Sequence, residues 1–187
     1  MVAQFAPLTD MFHSEPWVDL EAVDRQANDL LTKFGVTQEP VDPVAIASSL
    51  GYRVRAVAFP DPDLAGQVSN RSGEIVIDVS GFDSRVRQRF TIAHEIGHAQ
   101  LHLAGRQTAF VDLAGTLNRA TNNALDKAVD RKELAANRFG AALLMPAEWV
   151  KRAVAQHQTL DQLASRFGVS RSAMRHRLNS LGLVPQI

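Results

Sequence analysis

Residues 85–103 read RVRQRFTIAHEIGHAQLHL. This stretch carries His94, His98 and His102, half of the chain's six histidines, each four residues after the last. Apolar residues at helical spacing run through it, so it reads as one helix from Arg85 to Leu103. Side chains four apart share a helix face with Cβ atoms about 5–6 Å apart. Two imidazoles so placed can converge on one ion, and zinc takes histidine nitrogen at about 2.0–2.1 Å. Glu95 points about 100° further round and reaches a water beside the ion rather than the ion itself. His94, Glu95 and His98 therefore supply two ligands and a general base from one turn, as a His-Glu-x-x-His motif does.

His102 continues the stripe but does not extend the ligand set. Eight residues at 1.5 Å each put it about 12 Å along the axis from His94, too far to share an ion. The next pair, His98 and His102, brings no adjacent acid because residue 99 is alanine. His102 is expected beside the site, at a helix end or behind the ligands. Gly97 lowers helix propensity by up to about 1 kcal/mol relative to alanine, which suggests close approach of a neighbouring element. A catalytic zinc keeps three protein ligands and an open position. The downstream acids before Pro146 are Asp112, Asp126, Asp130 and Glu133. Spacing favours Glu133 only slightly over Asp130. Asn137, one turn later, is placed to hydrogen-bond behind a ligand.

Working outward, the composition is that of an ordinary globular chain, with 187 residues, 45% hydrophobic and 21% charged. With no cysteine, a disulfide scaffold, a thiolate metal site and a cysteine nucleophile are excluded. The N-terminus does not read as a signal peptide and no apolar run approaches the roughly 18 residues that span a bilayer, so the expectation is a cytoplasmic protein without membrane contact.

The zero net charge hides an asymmetry: residues 151–187 sum to +5 and residues 1–150 to −5. Three parts are expected: an N-terminal segment 1–18, taken as mobile, a catalytic domain over 19–150, and a helical module over 151–187. Helices are expected over 19–34, 44–50, 125–144 and 147–156. A strand is expected from Tyr52, and a hairpin over 66–79 turns at Asn70-Arg71-Ser72-Gly73. Residues 104–120 carry no clear pattern. The module reads as helix 160–167, a Gly168-Val169 turn, and a helix capped by Ser170, which matches a helix-turn-helix. Arg171, Arg175, His176 and Arg177 are expected on the exposed face of its second helix, as contacts for nucleic acid or a partner. A single short unit makes few phosphate contacts, so docking or packing on the catalytic domain is the stronger reading.

The runs RQRFTIAHEIGHAQLH and ELAANRFGAALLMP resemble the ImmA/IrrE family of metallopeptidases. So do PVDPVAIASSLGYRV, GEIVIDVSG and the ending LASRFGVSRSAMRHRLNSLGLV, which together cover roughly residues 20–184. The resemblance implies an α+β, zincin-like core, with a small, mostly antiparallel sheet packed on the metal-binding helices. It implies His94, His98 and Glu133 as ligands to one zinc, with manganese or another divalent ion also accommodated, and Glu95 as general base. It implies a protein substrate, a helix-turn-helix repressor whose cleavage releases stress-response, prophage or mobile-element genes. Gly140 departs from the alanine common in the family, a matter of helix packing. For the oxyanion, Tyr52, Arg89 and His102 are the candidate donors. Two other readings stand beside this one: a DNA- or protein-binding regulator with a non-catalytic metal site, and a toxin-like component of a two-gene module. An intact Glu95 favours the enzyme, because a structural site needs the ligands but not the base.

Overall fold

The computed structural model describes residues 18–103 and 124–183. The expected N-terminal segment, the uncharacterised stretch 104–120 and Asp112 lie outside the described residues, apart from Val18. The elements run α1 (Leu20–Lys33), α2 (Pro43–Ser49), β1 (Arg53–Val57), β2 (Gly66–Arg71), β3 (Glu74–Ser80), α3 (Arg85–His98), a π-helical turn (Ala99–Leu103), α4 (Ala124–Leu144), α5 (Ala147–Val154), α6 (Leu160–Phe167) and α7 (Arg171–Ser180). The architecture is α+β. No described helix is long and apolar enough to cross a membrane.

Local chemistry sets most of the boundaries. Asp19, Asp42, Ser84, Thr159 and Ser170 each cap a helix by accepting a backbone N–H in its first turn. Thr159 and Gln162 form a reciprocal capping box. Gly168 ends α6 at φ +64°, a left-handed position that glycine occupies without strain. The β2–β3 hairpin is tighter than the sequence suggested. Asn70 and Arg71 stay in the strand, and only Ser72 (φ 53°) and Gly73 (φ 91°) form the turn. Two positive φ values in a two-residue loop match the right-handed twist of the strands.

The sheet has the order β1–β3–β2. β2 and β3 are antiparallel, Val68 facing Ile77, while β1 and β3 are parallel, Val54 facing Ile77. β3 is the central strand and is buried from Val76 to Val79. Its Asp78, only 2% exposed, is compensated by a bidentate pair with Arg55 (2.7 and 2.8 Å) and by Gln67 (3.2 Å).

Helices α3 and α4 pack against each other at short range. A Cβ on Gly97 would lie 3.1–3.2 Å from Phe139 Cβ and the Ala136 backbone, so the missing side chain does serve a close approach. A Cβ on Gly140 would lie 3.0 Å from the backbone nitrogen of His94. The departure at residue 140 is thus a contact surface that brings α4 onto the His94–His98 turn of α3.

One hydrophobic core runs through the described chain. Ile96, Phe139 and Leu143 belong to the same cluster as Leu163, Phe167, Met174 and Leu178. The charge asymmetry across residue 150 is therefore a surface property. It also misplaces one residue: Arg177 is buried, at 2% exposure, and not on the outer face of α7. Its Nε donates to the Met145 carbonyl (3.0 Å) and its Nη1 to Asp24 (3.2 Å). Asp24 also accepts a bidentate pair from Arg138 at 2.6 and 2.8 Å. One carboxylate in α1 thereby ties α4 to α7. A guanidinium enters a core only with such partners, and none of them is near Arg177 in sequence.

Candidate metal centre

His94 and His98 leave α3 on one face, as their spacing requires, and Glu133 reaches them from α4. All three are buried. The two Nε2 atoms lie 2.9 Å apart; Glu133 Oε2 is 3.3 Å from His94 Nε2, and Oε1 is 3.2 Å from His98 Nε2. These separations can be tested against a metal. Ligands held at about 2.0–2.1 Å in tetrahedral directions are about 3.3 Å from one another. The separations of the three donors are close to the edges of a coordination polyhedron, and two imidazole nitrogens with one carboxylate suit zinc or a similar divalent ion. Among the described residues, His94, His98 and Glu133 form the one cluster able to hold a metal.

The surroundings prepare each donor. Asn137 Oδ1 faces His94 Nδ1 at 3.1 Å. An amide oxygen can only accept, so Nδ1 carries the proton and Nε2 keeps its lone pair for the site. Burial pushes the Glu133 carboxyl upward, but its hydrogen bonds and charge interactions with His94 and His98 outweigh this and lower it to about 2. Glu133 is therefore ionised at any working pH. His102 sits in the π-helical turn, its ring centred 5.6 Å from that of His98 and outside the converging set. Burial, and then the neighbouring His98, lower its pKa to about 4, so it is neutral near pH 7. Asp130 is exposed on α4 and does not join the cluster.

Glu95 is fully buried and lies on the wall of a cleft of about 520 Å³ that also exposes His94, Glu133 and Asn137. β2 begins directly against it. A Cβ on Gly66 would stand 3.2 Å from Glu95 Oε1 and 2.3 Å from Thr91 Cγ2. Gly66 and Thr91 were missed in the sequence. The available signal was a glycine opening a strand, a common mark of close backbone approach.

The candidate oxyanion donors go elsewhere. Arg89 spends its guanidinium on two carbonyls, Gly168 (3.1 Å) and Val41 (2.6 Å), and so clasps the α6–α7 turn. Tyr52 hydroxyl is bonded to Gln100, where burial raises its pKa, and it does not line the cleft. His176 does line the cleft, whereas Arg171 and Arg175 are exposed outside it, Arg171 pairing with Asp161 at 2.8 Å.

The family model for the peptidase M78 family, described as the IrrE N-terminal-like domain, matches residues 47–179. That span holds α3 and α4, which carry the candidate metal centre, the sheet, and α5 to α7 up to Asn179. No curated protein matches the chain. Among solved structures, a Mycobacterium tuberculosis transcriptional regulator is similar, at a TM-score of 0.61 and 20% identity over 91% of this chain. That likeness concerns the fold, and the chain spans 50% of the regulator's length.

Proposed function

The chain belongs to the IrrE N-terminal-like family of M78 peptidases, and from that membership we propose that it is a zinc-dependent endopeptidase that cuts a helix-turn-helix transcriptional repressor. The observation that carries this reading is the triangle of His94, His98 and Glu133 with a buried Glu95 opening onto the same cleft. A structural metal would need the triangle but not the carboxylate beside it.

His94, His98 and Glu133 would hold the metal, and Asn137 fixes the His94 tautomer. When bound, a divalent ion polarises a scissile carbonyl and makes water a better nucleophile near neutral pH. Glu95 takes the proton from the attacking water and returns it to the leaving amine nitrogen. β2, an outer strand of the sheet among the described residues, begins at Gly66 beside Glu95, and an extended substrate would align along it. The repressor substrate, a cytoplasmic setting and the release of stress-response or mobile-element genes belong to this same reading.

The test is Glu95→Gln, assayed against the neighbouring or cognate repressor. Cleavage should fall by about 10²–10⁴-fold with bound zinc unchanged, the usual worth of a positioned base. Undiminished cleavage by a metal-loaded variant would refute the assignment.

A further inference from the structure

The cleft does not end at α3 and α4. Ser172, Ala173 and His176 of α7 line it as well, together with the apolar side chains of Val86 and Phe90 from α3. α7 is held in one orientation. Met174, Arg177 and Leu178 turn into the core, each at most 2% exposed, and Arg177 is clasped by Met145 and Asp24. With that side fixed, Ser172, Ala173 and His176 must border the cleft, while Arg175 stays exposed outside it. The helix that would read bases in a free helix-turn-helix thus spends half of its outer face on the cavity that contains Glu95. Arg87, the one arginine on the cleft among the described residues, pairs with Asp83 at 3.2 Å, and Arg171 and Arg175 of α7 lie outside the cleft.

We propose that α7 is a substrate-selecting wall: Ser172, Ala173 and His176, with Val86 and Phe90, receive a bulky apolar side chain of an extended peptide next to the scissile bond. This rests on the peptidase reading and adds the chemical class of residue it accepts. Ser172 and Ala173 are small, which leaves the room for that side chain, and His176 gives the wall a polar end.

The experiment uses the full chain loaded with zinc and two hydroxamate probes, acetohydroxamate and a peptidyl hydroxamate bearing an isobutyl side chain, with affinities measured by calorimetry. The wild type should prefer the isobutyl compound by about tenfold or more, the scale on which an apolar pocket discriminates added carbons. Ser172→Phe should abolish that preference and leave acetohydroxamate binding unchanged. His176→Trp should do the same, and serves if Ser172→Phe fails to fold. Arg175→Phe, on the same helix but outside the cleft, should keep the preference. A preference that survives both cleft variants, or that Arg175→Phe abolishes equally, overturns the proposal. So does a low-salt affinity for duplex DNA that Ser172→Phe and Arg175→Phe both remove while the hydroxamate preference persists. Absence of acetohydroxamate binding to the loaded wild type would instead sink the metal-centre reading beneath it. A selective cleft combined with an active Glu95→Gln variant would sink the mechanism alone.

Discussion

Gly66→Ala puts one methyl group where β2 meets the turn of α3 that carries Glu95, and the structure gives the size of the conflict. The new carbon would stand 2.3 Å from Thr91 Cγ2, 3.2 Å from Glu95 Oε1 and 3.3 Å from the Asp78 carbonyl oxygen. Carbon–carbon contacts relax at about 3.5–4.0 Å, so the first of these is short by roughly 1.2 Å or more. A threonine in a helix has two accessible rotamers, and its methyl can turn aside. The Glu95 oxygen and the Asp78 carbonyl remain, and one is the proposed base while the other is backbone. Either the start of β2 backs away or the carboxylate shifts by a few tenths of an ångström. Overpacking of this kind costs about 1–3 kcal/mol. A misplaced reacting group loses up to about 10²-fold per ångström, so a roughly tenfold fall in kcat is expected. The assay is single-turnover cleavage of the repressor alongside zinc content and the urea midpoint. Adding Thr91→Ser, which removes the methyl, should recover part of the stability but little of the rate, because the Glu95 contact survives. A Gly66→Ala protein with wild-type midpoint and rate would show that β2 does not constrain Glu95.

Three further outcomes follow from contacts already described. Asn137→Ala releases His94 Nδ1 and should weaken zinc binding about 10–100-fold, measured by chelator competition, with little change in fold. Asp24→Ala leaves Arg138 and the buried Arg177 without their shared carboxylate and should lower the unfolding free energy by about 3–5 kcal/mol in urea. His102, lowered from 6.5 to about 4, binds its proton more readily in the unfolded chain. Its contribution is complete above pH 6.5 and is lost as the pH falls towards 4, up to about 3 kcal/mol in the metal-free protein. His102→Gln should flatten the stability profile across that window relative to wild type, and parallel profiles would contradict the buried placement.

The elements carrying local signals were legible in the sequence. His94, Glu95 and His98 declared themselves by spacing, Gly97 by its cost in a helix, and Ser170 and Gly168 by their capping chemistry. Glu133 was less so, because helical spacing alone left Asp130 and Asp126 beside it, and the resemblance to a family was needed to choose. What stayed hidden depends on partners distant in sequence. Arg177 reads as a surface cation until Asp24, 153 residues earlier, is found beneath it. The parallel pairing of β1 with β3 leaves no mark in either strand. Gly66 looks like any strand-opening glycine until Thr91 and Glu95 stand against it. The facing of α7 is set by its packing on α6 and by the bonds of Arg177 to Asp24 and the Met145 carbonyl, so its cleft side could not be separated from its outer side by charge.

The unbroken core beneath α6 and α7 bears on how this protein can be taken apart and recombined. A helix-turn-helix invites treatment as a cassette, something to delete, graft or express by itself. Here a chain cut after residue 155 would bare the partners of Leu163, Phe167, Met174 and Leu178 and leave Arg89 and Asp24 facing solvent. The excised pair of helices would carry a guanidinium evolved for someone else's carbonyl. The segment that looks most portable is the one the rest of the molecule cannot spare, and exchanging it between relatives would mean exchanging the contacts of α1, α3 and α4 along with it.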